Sequence, residues 1–451
     1  MDMPSILWLA SVTLPGAAKA LGLTGAIGGG WVEGQLGAVK DKARITVCTV
    51  NGAAKAPLYA ETGGVCYAVL PRGTPSEFAA LLDRVKPGLV HLWGSEYPPA
   101  AALLAQCGPK RALLSVQGLM GPCAEHLLDG VPLQYRGSCT AQRLIDRVVP
   151  GGLLDKQQAF FDAQAAREQA LLAGLRHVSG RTAWDKSELA RLAPNARYYH
   201  CGETLRPAFY AVEGAGPGEK PAVQGSNGTF AQAGAFPQGA APRQSREGPV
   251  LLLSQGNLPL KGLHRLIEAL PTVRAAWPRA QLRVAGWPPL DKGPLLRPAI
   301  RWMFPYQRYC AGLAARLEVA DMIRYTGPLN ADAMKRQYLE ADVFLLCSSI
   351  ENSPNSLGEA MLLGRPCIAS RVGGVPSLLE DGREGLLYPA DSPKALADAI
   401  LALLADPARA AAMGAAARAR ALVTHDPARN AQALLGIYRQ KIGRADTGGW
   451  R

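Results

Sequence analysis

Short apolar runs alternate along most of this chain with stretches whose apolar residues recur at helical spacing. From Ile6 to Tyr210 the runs Ile6 to Leu14, Arg44 to Val50, Gly88 to Trp93, Arg111 to Val116, His177 to Ser179 and Arg197 to His200 predict strands. Ser76 to Arg84, the section from about Thr140 to Gly174, and the residues after Thr182 predict helices between them. Such alternation predicts an α/β lobe. Residues 213–248 change character, with Gly, Ala, Pro, Gln and Ser dominating and only Phe230 and Phe236 as aromatics, so a linker without a fixed fold is expected there. A second α/β series starts at Pro249 to Ser254 and continues with a helix from Gly262 and strands at Gln281 to Ala285, Ile323 to Thr326 and Ala341 to Ser349. A last helical pattern runs from Asn430 to Ile442. The predicted organisation is a first lobe over 1–212, the linker 213–248, a second lobe over 249–425 and a terminal helix over 426–451.

Two segments of the second series pair a buried strand with a polar loop and then a helix. After the Ala341 to Ser349 run comes Glu351-Asn-Ser-Pro-Asn-Ser-Leu-Gly-Glu359, whose helix ends at Gly364-Arg-Pro366. Loops at the carboxyl ends of parallel strands are where ligands bind, and a helix start offers unpaired backbone N–H groups to an anion. The N–H groups of Asn355, Ser356 and Leu357 are therefore expected at a diphosphate, with Glu359 on ribose hydroxyls and Glu351 facing a sugar. Ser254 to His264 repeats the layout and places Lys261, a compact point charge suited to phosphate oxygens, just before its helix.

Composition narrows the ligand class. The chain has 451 residues, 48% hydrophobic and 19% charged, which is enough for two or three folded domains. Its net charge of +13 favours anionic partners. No basic stretch interleaves with aromatics and no zinc-finger or helix-turn-helix pattern occurs, so nucleic acid is not expected as a partner. Nine cysteines lack any Cys-x-x-Cys pair and lie mostly in apolar runs, which predicts free thiols in a reducing, cytoplasmic compartment. No apolar segment reaches the ~18 residues of a spanning helix. Ile6 to Ala20 imitates a leader, but Asp2 and the lack of an early cation favour a first strand. The six histidines are scattered and no Asp-x-Asp triplet occurs, so no metal site is expected.

The Glu-x7-Glu run, followed by Ala360 to Ser370, Gly373-Gly374-Val-Pro376, Glu380-Asp-Gly382 and Gly385 to Pro389, resembles the family 4 retaining glycosyltransferases. That resemblance implies the GT-B fold: two Rossmann-like lobes facing each other across a cleft, with the C-terminal helix packing back on the first. It implies a donor-binding second lobe, an acceptor-binding first lobe, and transfer of a hexosyl unit from a nucleotide-diphosphate sugar with retention, without a cofactor or metal. Lys261, followed by Gly262, matches the lysine that contacts the donor diphosphate. Many members carry an arginine about five positions earlier, where this chain has Gly256; the resemblance still implies a donor contact at Gly256, with Arg265 and Arg371 as alternative sources of charge. Many also carry a sugar-contacting histidine where this chain has Gln117; a glutamine still binds hydroxyls, and His126 is a second candidate for an imidazole.

In the first lobe, Gly28-Gly-Gly-Trp31, His91 to Pro98, Ser115 to Leu119, Gly180 to Asp185 and Tyr199 to Arg206 look like a branch serving bacterial capsule and exopolysaccharide synthesis. Trp93 and Tyr97 there either stack on a sugar or fill the core. This branch implies glycan or polyprenyl-linked saccharide acceptors and peripheral contact with an anionic inner leaflet. The Leu295 to Pro305 segment, mixing cations and large apolar residues, is a candidate for that contact. An epimerase or phosphorylase on a similar scaffold, and a non-catalytic sugar-nucleotide-binding subunit, are the alternatives.

Overall fold

The computed structural model describes residues 3–23, 30–136, 154–210, 248–286 and 304–442. Gly28, Gly29, the linker from 213 to 247 and the Leu295 to Met303 stretch lie outside the described residues. The first lobe is built on eight strands: β1 (Ser5–Leu9), β2 (Arg44–Val50), β3 (Leu58–Thr62), β4 (Val65–Leu70), β5 (Leu89–Trp93), β6 (Ala112–Ser115), β7 (His177–Gly180) and β8 (Arg197–His200). Their order is β3-β4-β2-β1-β5-β6-β7-β8, and only β3 runs antiparallel to its neighbour. The β3–β4 hairpin is absent from the sequence expectation because β3, Leu-Tyr-Ala-Glu-Thr, is a largely exposed edge strand without an apolar run. The second lobe is an all-parallel sheet of β9 (Val250–Leu253), β10 (Gln281–Ala285), β11 (Ile323–Gly327), β12 (Val343–Leu346), β13 (Cys367–Ser370) and β14 (Leu386–Tyr388). Its order, β11-β10-β9-β12-β13-β14, is that of a doubly wound dinucleotide-type sheet.

The strands are apolar because helices cover both faces of each sheet. Every residue of β9, β12 and β13 is buried. Helix starts are written into the sequence: Thr74 and Glu77 form a reciprocal capping box before Pro75–Val85, and Thr182 and Asp185 do the same before Ala183–Leu192.

Three features join the lobes. The terminal helix Pro427–Ile442 returns to the first lobe, where Leu434, Leu435 and Tyr438 pack with Ile6, Trp8, Val32 and Leu36. Tyr438 Oη lies 2.6 Å from Nδ1 of His91, whose Nε2 is 2.8 Å from Ser115 Oγ. Full burial pushes the His91 imidazole down to about 3, so it stays neutral in this network. The crossover after β8 sends Leu205 and Phe209 into the second lobe's core beside Tyr338, Phe344 and Leu357, ahead of the boundary expected at 212. Leu127, Leu128, Val131 and Leu154 from the first lobe pack in one cluster with residues of the helix Leu263–Ala276. Trp93 and Tyr97 serve the first-lobe interior: Trp93 sits edge-on to Trp8, and Tyr97 Oη bridges the Val50 N–H and C=O. Among the described residues no single helix is long and apolar enough to cross a membrane.

Because Leu434 is fully buried between the terminal helix and the first sheet, Leu434→Ala is expected to destabilise the protein by about 2–5 kcal/mol. Chemical denaturation followed by circular dichroism would measure this, and a change below about 0.5 kcal/mol would show that the helix does not hold the first lobe.

Candidate functional site

In the second sheet β9 has β10 on one side and β12 on the other. The chain leaves the carboxyl ends of β9 and β12 in opposite directions, and the crevice between those two loops is the topological switch point of the sheet. The loops are bound to each other. Ser349 N–H donates to Leu260 O at 2.8 Å, and Gly262, at φ +70°, passes so close to Cys347 that a Cβ would lie 1.9 Å from its carbonyl oxygen. This explains the glycine after Lys261: the position demands both a left-handed backbone and no side chain.

The same approach brings together residues ninety positions apart in sequence. Lys261 Nζ donates to Glu351 Oε1 at 2.6 Å, and Ser348 Oγ donates to the same oxygen at 2.7 Å. Gly374 N–H holds the Glu351 carbonyl at 2.9 Å, so the motif glycines clamp the loop that carries the carboxylate. Beyond it, the helix Asn355–Leu362 starts after Pro354 without a side-chain cap. Leu357 differs from the sequence expectation, because its N–H donates to Pro354 O at 3.0 Å and its side chain is in the core. Asn355 and Ser356 remain at the half-buried helix start and line the cleft. Gly256 also departs from its expected place as a donor contact. It turns inward, where a Cβ would fall 2.5 Å from Val284 Cγ1, while Ser254 and Gln255 line the cleft instead.

Glu359 is almost fully buried, with a partner that sequence reasoning missed. Arg206, from the crossover, donates from Nε and Nη2 to Oε1 and Oε2, each at 2.7 Å. Burial pushes the Glu359 carboxyl above its ordinary value, while the Arg206 bonds and charge pull it back down. Tyr338 Oη donates to Ser356 O at 3.0 Å and touches Glu359. Arg206 closes the Tyr199 to Arg206 segment that carries part of the first-lobe resemblance, but nothing in the spacing ties it to a carboxylate 153 residues away. The other two arginines considered from sequence are engaged elsewhere. Arg265 is buried and donates to Ser349 Oγ at 2.9 Å, and Arg371 forms an ion pair with Asp381.

These groups surround a cleft of about 530 Å³ lined by Lys261, Glu351, Asn355, Ser356, Glu359 and Arg206 together with Gly30 and Trp31 of the first lobe. Gln117 is not in its wall. Its carbonyl accepts from Arg181 at 3.0 Å and, across the lobe boundary, from Asn352 Nδ2 at 3.2 Å. Asn352 Oδ1 in turn accepts from Thr182 Oγ1 at 3.0 Å, so Gln117 belongs to the seam beside the cleft. His126 lies 2.7 Å from Asp129 and is likewise outside the lining.

The first-lobe side of the seam carries two carboxylates. Glu168 accepts from Ser95 Oγ at 2.5 Å and from the Met120 and Gly121 N–H groups at 2.6 and 3.3 Å. Glu96, after β5, is pushed up to about 7, chiefly by burial and then by the nearby Glu168 charge, against the Arg181 cation. Arg181 is itself paired with Glu203 and held down to about 10 by burial. Among the described residues no three His, Cys, Asp or Glu side chains gather into a metal-holding group.

Residues 239–420 match the family model described as Glycosyl transferases group 1. Over 181 residues the chain is 33% identical to a GDP-mannose-dependent alpha-(1-6)-phosphatidylinositol monomannoside mannosyltransferase of Mycolicibacterium smegmatis, covering 39% of this chain and 43% of that one. A D-inositol 3-phosphate glycosyltransferase of Streptomyces bingchenggensis is 37% identical over 105 residues, 23% of each chain. The chain thus spans less than half the length of these relatives. Sucrose-phosphate synthase from Thermosynechococcus elongatus superposes with a TM-score of 0.69 at 19% identity, covering 98% of this chain and 100% of that one. HepE of Anabaena in complex with UDP does so with a TM-score of 0.59 at 16% identity, over 97% and 100%. The fold is GT-B.

The Glu96 environment predicts a pH effect. Its folded pKa is raised, so its contribution to stability is present in full below about pH 4.5 and is lost as the pH rises through about 7. Glu96→Gln is therefore expected to raise Tm relative to the parent more at about pH 8 than at about pH 5. Equal shifts at both values in calorimetry would show that the carboxyl is not perturbed.

Proposed function

We propose that this chain is a glycosyltransferase. It moves a hexosyl unit from a nucleotide-diphosphate sugar to a glycan or polyprenyl-linked saccharide, with retention and without a metal ion. The observation that carries the proposal is the second-lobe switch point, where Lys261, Glu351, Glu359 and the uncapped start of Asn355–Leu362 converge on one cleft. The match of residues 239–420 to a glycosyltransferase model supports the same reading, since it spans every one of those groups.

Each group has a role set by its chemistry. The N–H groups at Asn355 and Ser356 receive the diphosphate, and Lys261 adds a cation at its edge. Glu359 accepts from the ribose hydroxyls, and Glu351 from hydroxyls of the transferred sugar. The acceptor hydroxyl attacks the anomeric carbon on the face from which the diphosphate departs. The anomeric C–O bond to phosphate breaks as the new C–O bond forms, and the hydroxyl proton passes to the departing phosphate oxygen. No side chain becomes covalently attached, so catalysis rests on orientation and on charge placed where the leaving group develops it.

The first lobe, with Trp31 at the cleft and Gln117 at the seam, holds the acceptor. The net charge of +13 suits docking on the anionic inner leaflet of a bacterial membrane, where lipid-linked acceptors for surface polysaccharide are held.

Thermal-shift screening with UDP-, GDP- and ADP-sugars is expected to show stabilisation by one nucleotide class. Lys261→Ala should lower kcat/KM with that donor by about 100-fold or more, and Glu359→Ala should abolish the thermal shift. Unchanged donor binding in both variants would remove the donor-site assignment, and conversion of the sugar nucleotide without any acceptor would favour an epimerase.

A further inference from the structure

The cleft poses a charge problem. Its charged lining residues are Lys261, Arg206, Glu351 and Glu359, and they are already paired one to one. Among the described residues, a diphosphate entering this site meets helix-start N–H groups but no cation that is not already facing a carboxylate. An arginine five positions before Lys261 would have to displace Val284, since a Cβ at Gly256 would lie 2.5 Å from Val284 Cγ1. Arg265 is sequestered on Ser349 and Arg371 on Asp381.

Arg206 has the geometry to serve two partners. Glu359 takes its Nε–H and one N–H of Nη2, and the remaining three N–H groups have no hydrogen-bond partner among the described residues. The side chain is 23% exposed and lines the cleft opposite Lys261. Its position is fixed from three sides. The aliphatic stem crosses Gly30, where a Cβ would lie 2.6 Å from Arg206 Cγ and Cδ. The guanidinium sits over the Phe209 ring at 4.5 Å, and the Glu359 fork sets its plane. A guanidinium held side-on by a carboxylate still presents the N–H groups at its far end to phosphate oxygens, in a fixed planar fork.

We propose that Arg206 is a second donor-site cation beside Lys261, contacting the diphosphate through its outer N–H groups while its inner edge holds Glu359 for the ribose. This rests on the nucleotide-sugar reading of the cleft. Because Arg206 stands on the crossover between lobes, the diphosphate contact comes from the connecting strand of chain and not from the second lobe alone.

The test is calorimetric titration of the parent, Arg206→Gln and Arg206→Lys with UDP and uridine, GDP and guanosine, or ADP and adenosine, using the pair whose diphosphate binds the parent. A diphosphate contact predicts that Arg206→Gln weakens nucleoside diphosphate binding by about tenfold or more beyond any loss for the nucleoside. Arg206→Lys should recover part of that difference, and it gives the same readout if the glutamine variant does not fold. Equal weakening of nucleoside and diphosphate would mean that Arg206 only positions Glu359, and unchanged binding of both would mean that it does neither; each overturns the inference. Failure of the parent to bind any of the three diphosphates would instead overturn the nucleotide-sugar reading itself.

Discussion

The reversal of strand order at β9 is the constraint from which the rest follows. A parallel sheet that grows first to one side of β9 and then to the other must leave the carboxyl ends of β9 and β12 adjacent, with their loops diverging. Lys261 and Glu351 meet because they terminate those loops, and Gly262 has no side chain because the loops touch. The 2.6 Å ion pair is a local consequence of sheet topology. Helix Asn355–Leu362 then starts at the mouth of the crevice, since it is the crossover that follows β12. Helix-start N–H groups, a lysine and two carboxylates are thereby gathered without any long excursion of the chain.

A second layer of constraint ties this lobe to the other. Asn352, next to Glu351, reaches Gln117 and Thr182 across the boundary, and Ala183 N–H donates to Ser377 Oγ at 3.1 Å. These are few polar contacts. They complement the apolar burial of Leu205 and Phe209 on one side and of the returning terminal helix on the other. The crossover carrying Arg206 is anchored by its neighbours in the second-lobe core and stays with Glu359.

Much of this was legible in the sequence where burial imposes pattern. The all-buried strands β9 and β12 announce themselves as apolar runs, and Glu351, Lys261 and Glu359 follow from strand, loop and helix read in order. The edge strand β3 was not legible, because an exposed strand has no apolar signature. Motif position points Gly256, and helix-start position points Leu357, toward the ligand, whereas local packing turns the first into the core and spends the N–H of the second on Pro354. Gln117 was placed by analogy at the sugar, and its carbonyl instead holds the seam. The pairing of Arg206 with Glu359 is not legible because the two are distant in sequence, and pairing across lobes leaves no periodic trace. Residue type and spacing report what each element does to itself; contacts between elements have to be seen.

The central claim is that a nucleotide diphosphate binds at the second-lobe switch point. A crystal structure of the protein with bound UDP, GDP or ADP tests it most directly. The account places phosphate oxygens within about 3 Å of the Asn355 or Ser356 N–H and of the Lys261 ammonium, with the ribose on Glu359. A nucleotide seated on the first lobe, or one whose diphosphate points away from the start of helix Asn355–Leu362, would contradict it.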